Sequence, residues 1–426
     1  MRGSILFLLL ILTQAGDPSA RETADLISDR DPIKSFKAIS ALVDMSESRR
    51  GEVERELTRL PTFYREVLES ELKARAALGS SFGRGARVNL NGAGKTVWTC
   101  FEELARTPGM RIDFQPWKDR LVDAPFDADF KDVWAIEAFV RLCERAHAIT
   151  HTWVWPDDTL RVSSTGNGMG APPAPRPWFF YRNIAVGLDL VKWRKIVDFT
   201  GRPDWVVRLA FRTVLSPETK AVKWTHVRLI EAIAEGGQAL SLAQEEDTAM
   251  PGFESLESRT YQPFEIGLRL PEGVRKIARL RFCVTARIPA EIRRYEVDQF
   301  SAGRTVKTGD ELYDIFVRPE EGLEPTSDYV SVRIRPKKTP HSQLAGLPFR
   351  VLYKFDRPGP GGSGYEFTGQ GDEMMAQTGW CTLRDGPWFD GGKPRRPLKV
   401  EVEIPVGLRD RPVYVEFRDV PLGPVR

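Results

Sequence analysis

The sequence contains little cysteine. Its four cysteines are far apart along 426 residues, at Cys100, Cys143, Cys283 and Cys381. Zinc knuckles and dithiol redox motifs need closely spaced cysteines, so this spacing excludes both kinds of site. We favour buried free thiols as the interpretation. A disulfide between Cys283 and Cys381, which lie on two predicted strands, is the alternative in an oxidising compartment.

Histidine is equally scarce, with four residues in the chain. His147 and His151 have the i, i+4 spacing that two zinc ligands take on a helix. No glutamate follows His147, as the His-Glu-x-x-His motif of zinc proteases requires, and the predicted helix ends between the two histidines. The sequence therefore predicts no metal site and no metal cofactor.

An excess of charge of one sign is absent as well. Lys and Arg number 62, Asp and Glu number 59, and the formal net charge is +3. Proteins that bind nucleic acid through a broad basic face carry a much larger positive charge. The sequence therefore predicts no nucleic-acid partner.

Long apolar runs are missing except near the start of the chain. Ile5–Leu12 is continuously apolar, Arg2 precedes it, and the small residues Ala15 and Ala20 follow it. This is the pattern of a secretory signal peptide, which we assign to residues 1–20. The run is too short to span a bilayer comfortably, although an uncleaved anchor is the alternative. We expect a periplasmic or extracellular protein of a bacterial type of envelope, without a membrane span after signal cleavage.

Two glycine-rich stretches have features of nucleotide-binding loops, but neither completes a motif. In "NGAGKT", residues 91–96, a P-loop would need glycine five positions before Gly94, where Asn89 stands. In "STGNGMGAPPAPRP", residues 164–177, the Gly-x-Gly-x-x-Gly spacing is absent and prolines stand where a helix would begin. We interpret Gly92 and Gly94 as a bend that reverses a strand into a helix. No cofactor and no catalytic residue is predicted.

The segment 21–82 has the periodicity of amphipathic helices. Ile33, Phe36, Ile39 and Leu42 recur at helical spacing in its first part. Two further charged stretches follow before a flexible linker. We expect two to four helices here.

Residues 86–165 alternate between strand and helix patterns. The expected order is strand, helix, two strands, helix and a closing hairpin, which forms a small sheet with two helices on one face. The positions expected to face its core are Leu90, Val97, Phe101, Leu104, Ile136, Phe139, Val140 and Cys143.

This module resembles the short N-terminal (STN) domain shared by secretins and TonB-dependent receptors. The resemblance is carried by "FEELARTPGMRIDF" and by "FDADFKDVWAIEAFVRLCERAHAITHTWVWPDDTLRV". The family pattern matches at Leu104-Ala105, Gly109-Met110, Phe126 to Phe130, Leu142 and Leu160 to Val162. The resemblance implies a βαββαβ module that binds another envelope protein.

After a linker at 166–177, short alternating strands separated by glycine and proline fill the rest of the chain. This pattern predicts a β-sandwich domain at 178–300 and a second β-rich domain at 301–426. Because Leu280, Phe282 and Val284 alternate toward the core, Cys283 is expected to face outward. The whole chain is expected to be an α+β multidomain protein.

The stretch 358–392 mixes glycines, acids and aromatic residues. Carbohydrate sites combine aromatic platforms with carboxylates, as do Trp380, Trp388, Asp385 and Asp390 here. A solvated loop is the interpretation we favour. The function predicted from the sequence is protein binding or scaffolding without catalysis, and a carbohydrate-binding or glycan-active protein is the alternative.

Overall fold

The computed structural model describes most of the chain. Its residues are 18–78, 83–113, 125–126, 129–145, 149–154, 159–164, 177–197, 203–216, 223–243, 264–298, 304–321, 327–337, 350–355, 363–364, 368–370, 373–381, 389–390, 393–394 and 397–423. Residues 1–17 of the predicted signal and nearly all of the linker predicted at 166–177 lie outside these ranges. The predicted mixture of helices and antiparallel sheets is confirmed.

The N-terminal segment forms four helices: α1 (Ala20–Ala24), α2 (Pro32–Met45), α3 (Arg50–Glu56) and α4 (Thr62–Leu78), with a short 3-10 turn at Leu57–Arg59. Helix α2 begins where the Asp31 side chain accepts a hydrogen bond from the Lys34 amide, and Pro32 occupies its first turn. Phe36, Ile39 and Leu42 are buried as predicted. Ile33 is 71% exposed, so its place in the predicted stripe is wrong. It lies in the first turn, beyond the contact with the rest of the fold.

The described residues between 87 and 164 form a module of two helices and three small ladders. Its strands are β1 (Arg87–Asn91), β2 (Lys95–Thr96), β3 (Ile112–Asp113), β4 (Pro125–Phe126), β5 (Asp129–Trp134), β6 (Ile149–Val154) and β7 (Thr159–Ser164), and its helices are α5 (Val97–Ala105) and α6 (Ala135–Arg145). Strand β1 pairs with β5 and β2 with β4, while β7 lies between β6 and the parallel strand β3. All eight core positions expected in the sequence are buried. The strands do not form one small sheet, as expected, but are divided among separate ladders.

Two further sheets face each other in the middle of the molecule. The first has the order β12-β13-β10-β9-β8 and the second β11-β14-β26. Their strands are β8 (Trp178–Tyr181), β9 (Ile184–Val197), β10 (Pro203–Leu215), β11 (Lys223–Ala234), β12 (Ser241–Leu242), β13 (Phe264–Leu270), β14 (Lys276–Ile288) and β26 (Arg409–Pro421).

Four phenylalanines join these two sheets. Phe211 and Phe264 from one sheet meet Phe282 and Phe417 from the other, with ring centroids 5.0 to 6.2 Å apart. Each fully buried side chain of this size contributes about 1.5 to 3 kcal/mol through removal of apolar surface from water. The pair of sheets is therefore a sandwich with an aromatic centre.

Both outer faces of this sandwich are covered. Helix α4 contacts β26, and residues of α2 and α4 belong to the same buried cluster as the sandwich interior. On the other side α6 contacts β9 and β10, where Ala185 and Val214 join the core of the module 87–164. The indole nitrogen of Trp178 donates to a carboxylate oxygen of Glu144 at 2.6 Å across this second joint. The helices and the module are thus layers on one central sandwich.

The remaining strands form a second sandwich inserted between β14 and β26. One sheet has the order β15-β25-β19-β20, and the other β16-β17-β18-β22-β21. The strands, including the separate pair β23-β24, are β15 (Glu291–Val297), β16 (Val306–Gly309), β17 (Tyr313–Glu321), β18 (Ser327–Pro336), β19 (Arg350–Phe355), β20 (Ser363–Gly364), β21 (Thr368–Gln370), β22 (Glu373–Cys381), β23 (Phe389–Asp390), β24 (Lys393–Pro394) and β25 (Pro397–Val406).

One antiparallel ladder passes through both sandwiches. Ile288 pairs with Arg409 in the first, and Glu291 pairs with Val406 in the second. At the joint, the amide of Ala290 donates to carbonyl oxygens on the opposite strand at 3.1 and 3.2 Å. The last strand of the chain therefore returns to the first sandwich and crosses the boundary near residue 300 that the sequence predicts.

Candidate functional site

The glycine-rich stretch 91–96 contains a bulge that connects strand β1 of one ladder to strand β2 of the next. Asn91 pairs with Asp129 before the bulge, and Lys95 pairs with Phe126 after it. Gly94 has φ +70°, a conformation that favours glycine. The expected reversal directly from a strand into a helix is wrong, because strand β2 follows the glycines and helix α5 begins only at Val97.

The polar groups of this bulge are engaged with the chain itself. The amide of Ala93 donates to the Asn91 side chain at 2.9 Å, and the amide of Lys95 donates to the Gly92 carbonyl at 2.9 Å. The Lys95 ammonium donates to both Glu103 carboxylate oxygens at 2.6 and 2.9 Å. A phosphate-binding loop directs its amides and its lysine toward an anion, so this geometry supports the rejection of the P-loop.

The two neighbouring ladders β1-β5 and β2-β4, together called the ladder below, have one buried face and one exposed face. Leu90, Phe126 and Phe130 are buried against α5 and α6. Asn91 and Lys131 are exposed. The exposed face is polar, which keeps a small sheet soluble while it remains accessible to other molecules.

The ladder is attached to helix α2 through one aspartate. Arg87 donates to both oxygens of Asp132 at 2.9 and 2.5 Å, and the Lys37 ammonium donates to the Asp132 carbonyl at 3.1 Å. The Arg87 hydrogen bond is the main cause that lowers the pKa of Asp132. Arg87 also lies 4.1 Å above the ring of Trp134. These contacts orient the ladder relative to the helical layer.

Each of the four strands of this ladder has an open side among the described residues. Among the described residues, β1 and β5 form a sheet of two strands, and so do β2 and β4. Each strand therefore has one edge that no described strand covers. Edge strands present unpaired backbone donors and acceptors that a strand from another chain can meet.

Charged side chains are buried where helix α4 lies on the first sandwich. Tyr64 donates to a carboxylate oxygen of Glu416 at 2.9 Å, and Arg281 donates to the same oxygen at 3.1 Å. Arg281 also donates to Asp29 at 2.5 Å and lies 4.3 Å from the centre of the Phe63 ring. Burial and then the Glu416 carboxylate raise the pKa of Tyr64, so the phenol remains a donor.

A second buried group of charges lies nearby. Arg182 is fully buried, donates to the Ser40 carbonyl at 2.9 Å and pairs with Asp44 at 3.1 Å. Tyr181 donates to Glu71 at 3.2 Å, and Arg411 approaches the same carboxylate at 3.7 Å. Burial, the largest single influence, lowers the pKa of Arg182. The combined effect of Tyr181, Glu71 and Asp44 raises it by more, so the pKa lies above its usual value. These charges hold helices on a sheet, so their role is structural.

Sequence reasoning missed both groups. The signal was a charge on alternate positions of otherwise apolar strands, such as Arg279 and Arg281 on β14, and Glu416 and Arg418 on β26. A charged face on a long central strand indicates that an oppositely charged element covers it.

The described cysteines are buried free thiols. Cys100, Cys143 and Cys283 are free. Cys283 was expected to face outward but is only 6% exposed, because α4 covers that face of β14. Burial raises the pKa of Cys283 to about 11. The side chain of Cys381 lies outside the described residues, so the bridge to Cys283 is not seen and stays a prediction.

An open pocket of about 720 Å³ lies at one end of the first sandwich. Trp193 and Trp205 line it with ring centroids 6.2 Å apart and planes at 84°. The indole nitrogen of Trp193 donates to the Leu422 carbonyl at 2.8 Å, which fixes its ring. Glu272 and Arg275 lie at the rim and are exposed.

The residues of the predicted glycan site are not brought together by any described contact. Trp380 lies in β22 and Asp390 in β23, but their side chains lie outside the described residues, and so do Asp385 and Trp388 entirely. His147 is likewise outside. Across the described ranges, no group of three or more His, Cys, Asp or Glu side chains has the arrangement of a metal site.

Comparison of the chain with protein-family models, curated proteins and solved structures finds no match. In the described part of the chain, no helix has the length and apolar content needed to cross a bilayer.

Proposed function

We propose that this chain is an exported, non-catalytic envelope protein that binds another envelope protein through the module 87–164. When the two-residue strands β2 and β4 are set aside, the described elements follow the order strand, helix, two strands, helix and hairpin, which supports the proposed resemblance to STN domains. The observation that carries the proposal is the ladder of β1, β2, β4 and β5, which has an edge open on each side among the described strands.

An open strand edge suits a protein partner better than a small molecule. Backbone amides and carbonyls on the edge pair with an extended segment of the partner, and side chains beside the edge select its sequence. The exposed face carries Asn91, Asp129 and Lys131, which are polar and solvent-accessible. The opposite face is buried against α5 and α6, so we expect the edge to require little ordering before it binds.

Position-specific photo-crosslinking tests this proposal. A photoreactive amino acid replaces Asn91 or Lys131 on the ladder in the full chain, which is expressed in an exporting bacterial host. Replacement of the exposed His226 or Glu235, on and just beyond β11 of the first sandwich, provides the matched controls. After irradiation of intact cells, we expect one adduct with an envelope protein from the ladder positions and none from the controls.

Two results would contradict protein binding at the ladder. The first is the absence of an adduct at both ladder positions in cells that export the protein. The second is the same set of adducts at ladder and control positions, because adducts of that kind arise from random encounters.

The pocket lined by Trp193 and Trp205 supports a second candidate function, the binding of a glycan. Aromatic rings beside polar rim groups suit a sugar ring. Titration with soluble peptidoglycan fragments would detect binding by calorimetry. Loss of binding in Trp205→Ala, with binding retained in Trp98→Ala, would assign it to the pocket. Loss in Trp380→Ala would assign it to the stretch 358–392.

A further inference from the structure

The first described residues of the chain are part of the fold, although the sequence predicts a signal over residues 1–20. The amide and hydroxyl of Ser19 donate to a carboxylate oxygen of Glu22 at 2.8 and 2.9 Å, and the amide of Glu22 donates back to the Ser19 hydroxyl at 3.2 Å. This reciprocal capping box starts helix α1. Ser19 therefore acts as a structural residue of the folded protein.

Other contacts depend on the same short segment. The amide and hydroxyl of Thr23 donate to the Ser19 carbonyl at 3.1 and 3.0 Å. Arg49 donates to the Pro18 carbonyl at 3.5 Å. Ala20 is 2% exposed and belongs to the buried cluster shared with the first sandwich. A cut after Ala20 would remove the cap of α1 and one residue of this core.

The sequence contains a better site before this segment. A signal peptide is cut after small residues at the first and third positions before the bond. Thr13 and Ala15 occupy these positions for a cut after Ala15. For a cut after Ala20 the third position is Pro18, which is not a small flexible residue.

We propose that the exported chain is cut between Ala15 and Gly16, five residues before the end of the predicted signal. A signal peptidase of the envelope adds water across this peptide bond, which leaves a carboxylate on Ala15 and a free amine on Gly16. The mature chain then keeps Pro18, Ser19 and Ala20. This inference rests on the proposed export of the protein and adds the position of its processing.

N-terminal sequencing and intact mass of the full chain, purified through a C-terminal tag from the envelope of an exporting host, test the site. We expect the N-terminal sequence Gly-Asp-Pro-Ser-Ala. Ala15→Leu should accumulate the uncut precursor, and Ala20→Ser should be cut as the unaltered chain is. An N-terminus at Arg21, or an intact Met1, would overturn the proposed site.

A second measurement is independent of the host. Chains that begin at Gly16 and at Arg21 are produced directly and compared by thermal unfolding. We expect a lower melting temperature for the chain that begins at Arg21, and equal melting temperatures would overturn the structural argument. An error in the proposed cleavage site can be distinguished from an error in the proposed function, because the crosslink from Asn91 or Lys131 does not depend on where the signal is cut.

Discussion

The buried carboxylate of Glu416 offers the sharpest test of how the helices are held on the first sandwich. Its side chain is fully buried, and both Tyr64 and Arg281 donate to one of its oxygens. Glu416→Gln keeps the size of the side chain and removes the charge. The change leaves Arg281, whose side chain is 7% exposed, without its buried counter-charge.

The expected loss of stability follows from what Arg281 retains. Removing one partner of a buried ion pair costs about 3 to 5 kcal/mol when the other charge is left uncompensated. Arg281 keeps Asp29 at 2.5 Å and Glu231 at 3.4 Å. The glutamine oxygen can also accept the Tyr64 hydrogen bond. We therefore expect a loss of about 2 to 3 kcal/mol, at or below the lower end of that range.

Urea unfolding followed by intrinsic fluorescence measures this loss. Glu54→Gln is the matched control, because Glu54 pairs with Arg50 at 2.7 Å on an exposed helix surface. An exposed pair of this kind contributes less than about 0.5 kcal/mol. Sodium chloride at high concentration should reduce the effect of the control substitution and leave the effect of Glu416→Gln nearly unchanged.

Equal losses in the two variants would refute the reasoning, since they would mean that Glu416 is as solvated as Glu54. A double-mutant cycle with Tyr64→Phe adds a second criterion. The two side chains share a hydrogen bond, so we expect a coupling energy of about 1 kcal/mol. A coupling energy near zero would mean that the contact is absent in solution.

Three further predictions concern residues in other parts of the fold. Lys95→Ala should lower the stability by less than about 0.5 kcal/mol, because the ion pair of Lys95 with Glu103 is partly exposed. ATP should not shift the melting temperature of the unaltered chain or of the variant. A stabilisation by ATP that is lost in the variant would contradict the bulge geometry. Burial is the largest influence on Asp310 and raises its pKa, but hydrogen bonds from Tyr295, two backbone amides and Arg293 lower it from 3.8 to about 2. The free energy of unfolding that this carboxylate contributes is present above pH 4 and lost as the pH falls through 2. Asp310→Asn should therefore lower the stability by about 1 kcal/mol at pH 7, after discounting for solvent screening, and by little at pH 2. A loss of stability that is independent of pH in acid unfolding experiments would be inconsistent with this. Finally, Cys283 should resist iodoacetamide at pH 8 until urea unfolds the chain, and rapid labelling in the native state, located by peptide mapping, would contradict its burial.

Local patterns in the sequence predicted much of the module 87–164. Val97, Phe101 and Leu104 recur at helical spacing, and all three are buried. The hairpin of β6 and β7 was also expected, and it pairs Ile149 with Ser164. These elements are set by short-range periodicity, so their side-chain patterns identify them without knowledge of the rest of the fold.

Patterns failed where a distant segment covers a surface. Cys283 alternates with core residues, so local reasoning assigned it to solvent, but α4 lies on that face from more than 200 positions away. Ile33 matched the helical stripe yet remains exposed. The bulge at Gly92 to Gly94 depends on the partner strands at 125–126 and 129–134, which lie after helix α5 and strand β3.

The sequence by itself determined which segments form helices and which form strands, because spacing of apolar residues and turn chemistry act over a few residues. It also determined that Gly94 occupies a special backbone conformation. The tertiary structure alone decided that β26 returns to pair with β14, that Arg281 and Glu416 are buried together, and that the helices cover a sandwich. Those outcomes depend on contacts between segments far apart in the chain, whose free energy no local pattern contains.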